Sequence, residues 1–116
     1  MDVYHGPGNR LLVAASRTDG LVGMGGVADG VIRRLFVIEK WRGRGIARAL
    51  VMRLIALHCS VSSEPLTALV AGWNVPARKL FLSRGFQPTG AFPQDPKMAG
   101  CEILSLPDFQ ARPQDV

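Results

Sequence analysis

The chain contains few of the residues that build metal sites and disulfide frameworks. Its 116 residues include two cysteines and two histidines. Cys59 and Cys101 lack the spacing of a metal-binding pair, and neither His5 nor His58 has a cysteine or carboxylate at ligand spacing. The sequence therefore predicts no metal site, and we expect both cysteines to be small buried core residues.

Long apolar segments are lacking as well. Arg48 and Arg53 interrupt the most apolar part of the chain, so no run reaches the length of a membrane span. The chain start lacks the basic head and apolar block of a signal peptide. We expect one cytoplasmic domain over residues 1–116 without membrane contact, including a loose arm at 1–10 and a polar tail at 107–116.

Acidic residues are outnumbered by basic ones. The chain has 14 lysines and arginines against nine acidic residues, which gives a net charge of +5 and permits an anionic partner. Nucleic acid is disfavoured as that partner, because the chain has neither aromatic–basic interleaving nor a recognisable reading helix. Six arginines are concentrated in one segment: Arg33, Arg34, Arg42, Arg44, Arg48 and Arg53.

Apolar runs separated by turn residues predict a mixture of strands and helices. The Asp29-Gly30 turn makes an antiparallel meander of the first three strands, and the glycines at 23, 25 and 26 indicate a bulge or a close backbone approach. A helix from about Arg44 to about Cys59 is apolar over most of its circumference, so we expect it to be buried on more than one side. The predicted strands are 11–16, 21–28, 31–38, 66–73, 86–92 and 101–106.

The segment Trp41–Ala47 lies between a predicted strand and this long helix. Its two glycines and two arginines let backbone N–H groups approach an anion, and the helix N-terminus adds partial positive charge. It does not match the dinucleotide fingerprint, because Arg48 occupies the position of the third glycine, and the nucleotide P-loop is absent from the sequence. A pyrophosphate cradle and a glycine-rich turn with solvated arginines both fit this segment.

A second segment, Asn74–Phe86, has the start and stop signals of a short helix. Asn74 is placed to cap the helix, Pro76 follows in its first turn, and Gly85-Phe86 ends it. Ala77, Leu80 and Phe81 form its apolar stripe.

Together, these two segments resemble the two signatures of the GNAT superfamily of acyl-CoA-dependent N-acetyltransferases. Arg42-x-x-Gly45-x-Ala47 is similar to the acyl-CoA pyrophosphate loop, and Asn74-x-x-Ala77-x-x-Leu80-Phe81-x-x-x-Gly85-Phe86 to the second signature. The resemblance covers about residues 11–106. It implies a mixed α/β (α+β) fold with a central, mostly antiparallel sheet and a V-shaped splay between the strands that flank the CoA helix.

The resemblance also implies acetyl-CoA as co-substrate and assigns residues to it. Strand residues make backbone contacts, loop residues hold the pyrophosphate, and Asn74 reaches the pantetheine or the acceptor region. The implied cofactor-binding residues are Phe36, Val37, Ile38, Arg42, Gly43, Arg44, Gly45, Ile46, Ala47, Asn74, Ala77 and Phe81.

The sequence departs from the family pattern at its N-terminal end. Too few residues precede Leu11 for the usual strand and helix pair, which form one wall of the acceptor pocket. We therefore expect either an open cleft that suits a peptide terminus or a second subunit that covers it, and uncovered apolar surface favours a homodimer.

A further departure concerns the groups that move protons. Phe81 stands where the family commonly has a tyrosine, so this position offers packing but no proton donor. Tyr4, the one tyrosine of the chain, lies in the predicted arm. Glu39 is the first candidate for the base, ahead of Asp29 and Glu102.

The resemblance therefore predicts transfer of an acetyl group to a primary amine of a small molecule or peptide. The alternative is a non-catalytic acyl-CoA-binding or regulatory module that has kept only the cofactor cradle.

Overall fold

The structure is a computed structural model that describes residues 9–106. Tyr4, the polar tail and residues 1–8 of the predicted arm lie outside the described residues. The chain forms two compact units, the first ending at Ser62 and the second beginning at Ser63. The described residues contain six strands and two α-helices, which confirms the mixed α+β class.

The first unit is a three-stranded antiparallel meander followed by a long helix. Asp29 and Gly30 join its second and third strands with φ of 53° and 77°, which is the conformation of a type I′ hairpin turn. The predicted meander and turn are confirmed. The elements are β1 (Arg10–Ser16), β2 (Gly20–Ala28), β3 (Val31–Val37), a 3-10 helix (Glu39–Trp41) and α1 (Ile46–Val61).

The pairing of β2 with β3 contains a bulge. The register shifts by one residue around Gly25, so that Arg34 and Leu35 oppose this single glycine. The bulge places Arg34 in the left-handed region with φ of 60°, which costs a non-glycine residue about 1–2 kcal/mol. The predicted irregularity is confirmed, and here the additional residue lies on β3.

The glycines of β2 allow α1 to pack closely on one face of the meander. A Cβ atom at Gly23 would lie 3.3 Å from Ile46 Cγ2, and one at Gly25 would lie 3.3 Å from Leu54 Cδ1. The close approach predicted from these glycines is therefore confirmed.

The fully buried side chains of α1 form a single stripe along the helix. Met52 and Val61 on the same helix are 46% and 53% exposed. The expectation that this helix is buried on more than one side is therefore wrong, because its other apolar side chains are half-buried or exposed. The buried residues are Leu50, Val51, Leu54 and His58.

The second unit contains three antiparallel strands and a short helix. Its last strand pairs with both of the others. Phe81 and Phe86 are buried in its core with their ring centroids 5.0 Å apart and an interplanar angle of 68°, an edge-to-face arrangement that aromatic rings prefer. The elements are β4 (Leu66–Ala71), α2 (Val75–Ser83), β5 (Gln87–Pro88), a 3-10 helix (Pro96–Met98) and β6 (Cys101–Leu106).

β5 is much shorter than the strand predicted at 86–92. Pro88 has no N–H group for a ladder, and Gly90 adopts a φ of 76°. Thr89 then donates a hydrogen bond from its side-chain Oγ1 to the Ile103 carbonyl oxygen at 2.8 Å. Beyond Pro88 the link to β6 is therefore irregular, since this side-chain bond is followed by one backbone bond, from Ile103 N–H to the Ala91 carbonyl oxygen at 3.3 Å.

Both cysteines of the chain lie within the described residues. Cys59 and Cys101 are both half-buried, so they are less enclosed than predicted. Within residues 9–106, no group of three or more His, Cys, Asp or Glu side chains is placed to hold a metal ion. In the same part of the chain, neither α-helix combines the length and apolarity that crossing a membrane requires.

Candidate functional site

The chain turns sharply where β3 ends. Trp41 N–H donates to the Ile38 carbonyl oxygen at 2.9 Å, and Arg42 N–H donates to that of Glu39 at 3.1 Å. Ile38 N–H in turn donates to the Val22 carbonyl oxygen at 2.9 Å. These bonds anchor the loop that leads to α1 to the end of the strand.

Val37 directs its backbone groups away from β2. Residues of an antiparallel strand alternate between facing the partner strand and facing away from it, and Ile38 faces β2 through its bond to Val22. The outward Val37 carbonyl oxygen accepts a hydrogen bond from Arg42 Nε at 2.9 Å.

The other two strand residues that the resemblance assigns to the cofactor are placed differently. By the same alternation, the backbone N–H and carbonyl oxygen of Phe36 face β2. Both the N–H and the carbonyl oxygen of Ile38 have partners inside the unit. The structure therefore leaves Val37 as the residue of this set whose backbone points outward.

The loop before α1 depends on two glycines. Gly43 and Gly45 have φ of +79° and +84°, a region that favours glycine. A Cβ atom built at either position would meet no atom within 4 Å. The glycines are therefore required by backbone conformation, and the space beside them is open.

The N-terminus of α1 opens directly from this loop. Gly45 is its N-cap residue, and no side chain caps the helix. The first helical hydrogen bond runs from Ala49 N–H to the Gly45 carbonyl oxygen at 3.0 Å, so the N–H groups of residues 46–48 have no acceptor within the helix. The first turn has no acidic residue. This end of α1 therefore presents partial positive charge and N–H donors to an anion.

Four side chains form a cluster beside the loop. Asp19 Oδ2 accepts the indole N–H of Trp41 at 2.5 Å and lies 3.2 Å from Lys40 Nζ. The Arg44 guanidinium lies over the Trp41 ring, with Cζ 4.3 Å from the ring centroid. The hydrogen bond from Trp41, followed by the one from Lys40, lowers the pKa of Asp19 below its ordinary value. The carboxylate form of Asp19 is thus favoured by its partners.

The second unit contains the three other residues that the resemblance assigns to the cofactor. Asn74 Oδ1 accepts the Ala77 N–H at 3.2 Å, which confirms the predicted helix cap. Ala77 is half-buried, and Phe81 is 2% exposed. The ring of Phe81 packs in the core of this unit.

Arg78 and Glu102 join α2 to β6. Arg78 Nε donates to Glu102 Oε1 at 2.8 Å, and Nη2 donates to Oε2 at 3.3 Å. The hydrogen bond from Arg78 lowers the pKa of Glu102 below its ordinary value. Glu102 therefore has a partner in a structural ion pair, and a lowered pKa makes it a weaker base.

A comparison with protein families bears on the chain as a whole. The sequence model of the acetyltransferase (GNAT) domain matches residues 7–88, which is most of the chain and includes both segments singled out above. This chain belongs to the GNAT acetyltransferase family. None of the curated proteins compared with this GNAT chain is similar enough in sequence to count as a match.

Solved structures of acetyltransferases share the fold of this GNAT chain. A GNAT-family acetyltransferase from Staphylococcus aureus superposes with a TM-score of 0.71 at 18% identity, covering 85% of this chain and 68% of the other. An acetyltransferase from Streptococcus agalactiae gives 0.69 at 14% identity, covering 89% and 69%. YncA from Salmonella typhimurium, solved with its cofactor acetyl-CoA, gives 0.68 at 21% identity, covering 85% and 64%. At these identities the likeness concerns the fold.

The carboxylates considered as bases for GNAT chemistry lie in different places. Glu39 is exposed in the 3-10 helix that follows β3. Asp29 lies in the hairpin turn, at the opposite end of β3 from Val37 and about 20 Å away along the strand. Glu102 is paired with Arg78 in the second unit. Glu39 is therefore the one that follows directly from the strand end carrying the outward Val37.

Sequence reasoning missed the cluster of Asp19, Lys40, Trp41 and Arg44 in this GNAT chain. Asp19 was interpretable only as a turn residue before Gly20, because 22 residues separate it from Trp41. A single sequence contains no local signal for a hydrogen bond across that separation. The pairing of β1 with β2 and of β2 with β3 brings the two residues together.

Proposed function

We propose that this chain transfers an acetyl group from acetyl-CoA to a primary amine of a small molecule or peptide. The observation that carries the proposal is the uncapped N-terminus of α1, which follows a loop with two left-handed glycines and open space beside them. A diphosphate is an anion that such a helix end binds through its N–H groups.

The residues present fit acetyl-CoA as the co-substrate. The N–H groups of residues 46–48 lack helical acceptors, and the first turn of α1 has no carboxylate to repel a phosphate. Arg42 and Arg44 flank Gly43 in the loop and add two positive charges. These groups would hold the diphosphate.

The reaction requires a polarised thioester carbonyl, a neutral amine and a route for its proton. Acetyl-CoA supplies the acetyl thioester; the amine nitrogen forms the new bond to the acetyl carbon, and the carbon–sulfur bond breaks. We assign the outward backbone N–H of Val37 to the thioester carbonyl. Glu39, exposed just beyond the strand, would accept the amine proton directly or through water. The CoA thiolate takes its proton from water in this scheme, because Phe81 has no hydroxyl.

The second candidate is an acyl-CoA-binding module without turnover. The observation that favours it is Phe81, which is buried against Phe86 and offers no proton. Both candidates predict binding of acetyl-CoA, so the test must measure turnover.

Release of free thiol from acetyl-CoA separates the two candidates. It is measured with the purified protein and a panel of polyamines, amino acids, aminoglycosides and peptides with free N-termini. Release above the hydrolysis background with one class of amine supports the transferase. Background rates across the panel, together with calorimetric binding of acetyl-CoA, would favour the module.

We further propose that the chain acts as a homodimer. Pairing places Val13, Met24 and Phe36 side by side on the face of the meander opposite α1. Val13 is 59% exposed and Phe36 42% exposed, and Leu11 on the same face is 42% exposed. Exposed apolar surface of this kind supports an interface. Light scattering after size exclusion tests it, and a strict monomer at micromolar concentration would contradict it.

A further inference from the structure

Asp19 links the β1–β2 turn to the loop that precedes α1. Its carboxylate accepts the Trp41 indole N–H, and the Trp41 ring carries the Arg44 guanidinium. Asp19 has no direct role in the proposed acetyl transfer. The contacts nevertheless run from this carboxylate through an aromatic ring to a cation beside the open end of α1.

The turn that holds Asp19 is itself fixed by a side chain. Ser16 Oγ accepts the N–H of Asp19 at 2.8 Å and the N–H of Thr18 at 3.1 Å. Such serine-centred turns hold the backbone locally. The Asp19 carboxylate therefore reaches the indole from a defined support.

The Arg44 side chain must be held in one conformation if its guanidinium is to bind an anion at a defined position. It lies between Gly43 and Gly45, and its own residue is exposed. An arginine side chain loses considerable rotamer freedom on binding, and stacking on an aromatic ring reduces that loss by ordering the guanidinium in advance. Lys40 on the same carboxylate adds a second cation to the cluster.

Resting on the proposed function, we infer that Asp19 and Trp41 are positioning residues that hold the Arg44 guanidinium ready for a phosphate group of acyl-CoA. CoA carries a diphosphate and a ribose phosphate, and either would supply the anion. The inference requires that Asp19 act through Trp41 and Arg44, and not by contact with the ligand.

A double-mutant cycle on CoA binding tests this dependence. Calorimetry measures the dissociation constant of CoA for the wild type, Asp19→Ala, Arg44→Ala and the double variant. Each single substitution is expected to weaken binding about three- to tenfold, and the double variant no more than Arg44→Ala alone. Losses that multiply in the double variant would overturn the inference, because the residues would then act independently.

A comparison of two ligands, CoA and 3′-dephospho-CoA, identifies the phosphate that Arg44 binds. If Arg44 meets the ribose phosphate, Arg44→Ala has no effect on the affinity for 3′-dephospho-CoA. If it meets the diphosphate, the effect persists with that ligand. Either result supports the inference, whereas an unchanged affinity for both ligands in Arg44→Ala would overturn it.

One conservative variant and one control substitution separate positioning from general support of the fold. Asp19→Asn keeps an acceptor for the indole N–H and is expected to bind CoA within about twofold of the wild type. A loss as large as that in Asp19→Ala would overturn the route through the indole. Asp95→Ala removes an equal charge from the second unit and is expected to leave CoA affinity unchanged.

Fluorescence gives a readout that does not depend on turnover. The chain has two tryptophans, and Trp73 is 83% exposed, so Trp73→Phe leaves Trp41 as the reporter. CoA is expected to change the emission of this variant, and the change is expected to shrink in Arg44→Ala. Emission that ignores CoA while calorimetry records binding would overturn the inference alone. No binding of CoA to the wild type would overturn the proposed function and the inference with it.

Discussion

Gly45 contributes to both the fold and the proposed cradle. Its φ of +84° ends the loop and starts α1, and its missing side chain leaves the adjacent space open. The sequence singled out this glycine for its closeness to a ligand. The structure adds that the backbone conformation alone would favour glycine here, because a side chain at this φ is strained.

The stability of variants at Gly45 should therefore follow how readily the new residue adopts the left-handed backbone conformation. Gly45→Ala is expected to lower the free energy of unfolding by about 1–2 kcal/mol because alanine is strained at this φ. Gly45→Asn is expected to lose less, since asparagine tolerates the region. Denaturant unfolding measures both. A larger loss for asparagine than for alanine would contradict the conformational explanation.

Phe81→Tyr tests how tightly the ring at the usual tyrosine position is enclosed. At 2% exposure the added hydroxyl would be buried among apolar groups, which is expected to cost about 1–3 kcal/mol of unfolding free energy. Denaturant unfolding measures the change, and Phe92→Tyr, at a position 65% exposed, is the control expected to show none. Unchanged stability together with faster thiol release would show that the hydroxyl reaches the reacting groups.

Single residues were predictable where the signal was local. The cap at Asn74 and the glycines at 43 and 45 follow from the preferences of the individual residues. The choice of Val37 over Phe36 and Ile38 does not, because it depends on which residues of β3 bond to β2. The role of Asp19 depends on strand pairing in the same way.

At the scale of elements, two glycines of β2 lie close to β3, and the two contacts differ in how easily they can be relieved. A Cβ atom at Gly25 would lie 3.1 Å from Leu35 Cδ1, at the end of a flexible side chain. A Cβ atom at Gly23 would lie 3.1 Å from the Phe36 carbonyl oxygen, which belongs to the backbone of β3. The second contact is the harder one to relieve.

Gly23→Ala is therefore expected to destabilise the protein more than Gly25→Ala. Overpacking of a tight core costs about 1–3 kcal/mol, and the backbone contact should place Gly23→Ala in the upper part of that range. Thermal unfolding of the two variants side by side measures the difference. An equal or reversed order would mean that β3 shifts more easily than the Leu35 side chain.

The ion pair that joins α2 to β6 predicts a dependence on pH. The pKa of Glu102 is lower in the folded protein, so its contribution is present above the ordinary value of 4.5 and is lost as the pH falls through the lowered pKa. Glu102→Gln is expected to lower Tm modestly at pH 7, with the gap to the wild type closing below pH 4.5. Asp19 titrates in both the wild type and the variant, so its contribution cancels in the difference between their Tm values. A gap that stays constant down to pH 2 would contradict this account.

Elements were predictable where alternation or turn residues were clear. The meander and α2 follow from such patterns, since the Asp29-Gly30 turn and the Asn74 cap each have a local conformational cause. The prediction of a strand at 86–92 was wrong in its length, because Pro88 and Gly90 disfavour strand pairing more than the apolar residues around them favour it. The burial of α1 was overestimated because apolar composition does not say which sides of a helix have neighbours.

At the scale of the whole chain, family membership, charge and local geometry each support the proposed anionic ligand. The GNAT domain match covers both signature segments, and the net charge is +5. The open end of α1 gives that charge a defined place to act. The acceptor amine has no comparable signal, because the pocket for it depends on segments with little sequence pattern.

Calorimetric titration of CoA into the wild type and Ala47→Glu tests the central claim most directly. A glutamate in the first turn of α1 favours the helix dipole, so stability should be kept while a diphosphate is repelled from the N–H groups of that turn. The control Ala56→Glu adds the same charge at an exposed position farther along α1. We predict binding by the wild type and Ala56→Glu and at least a tenfold loss, about 1.4 kcal/mol, in Ala47→Glu. Equal affinity in all three proteins, or none in the wild type, would contradict the account.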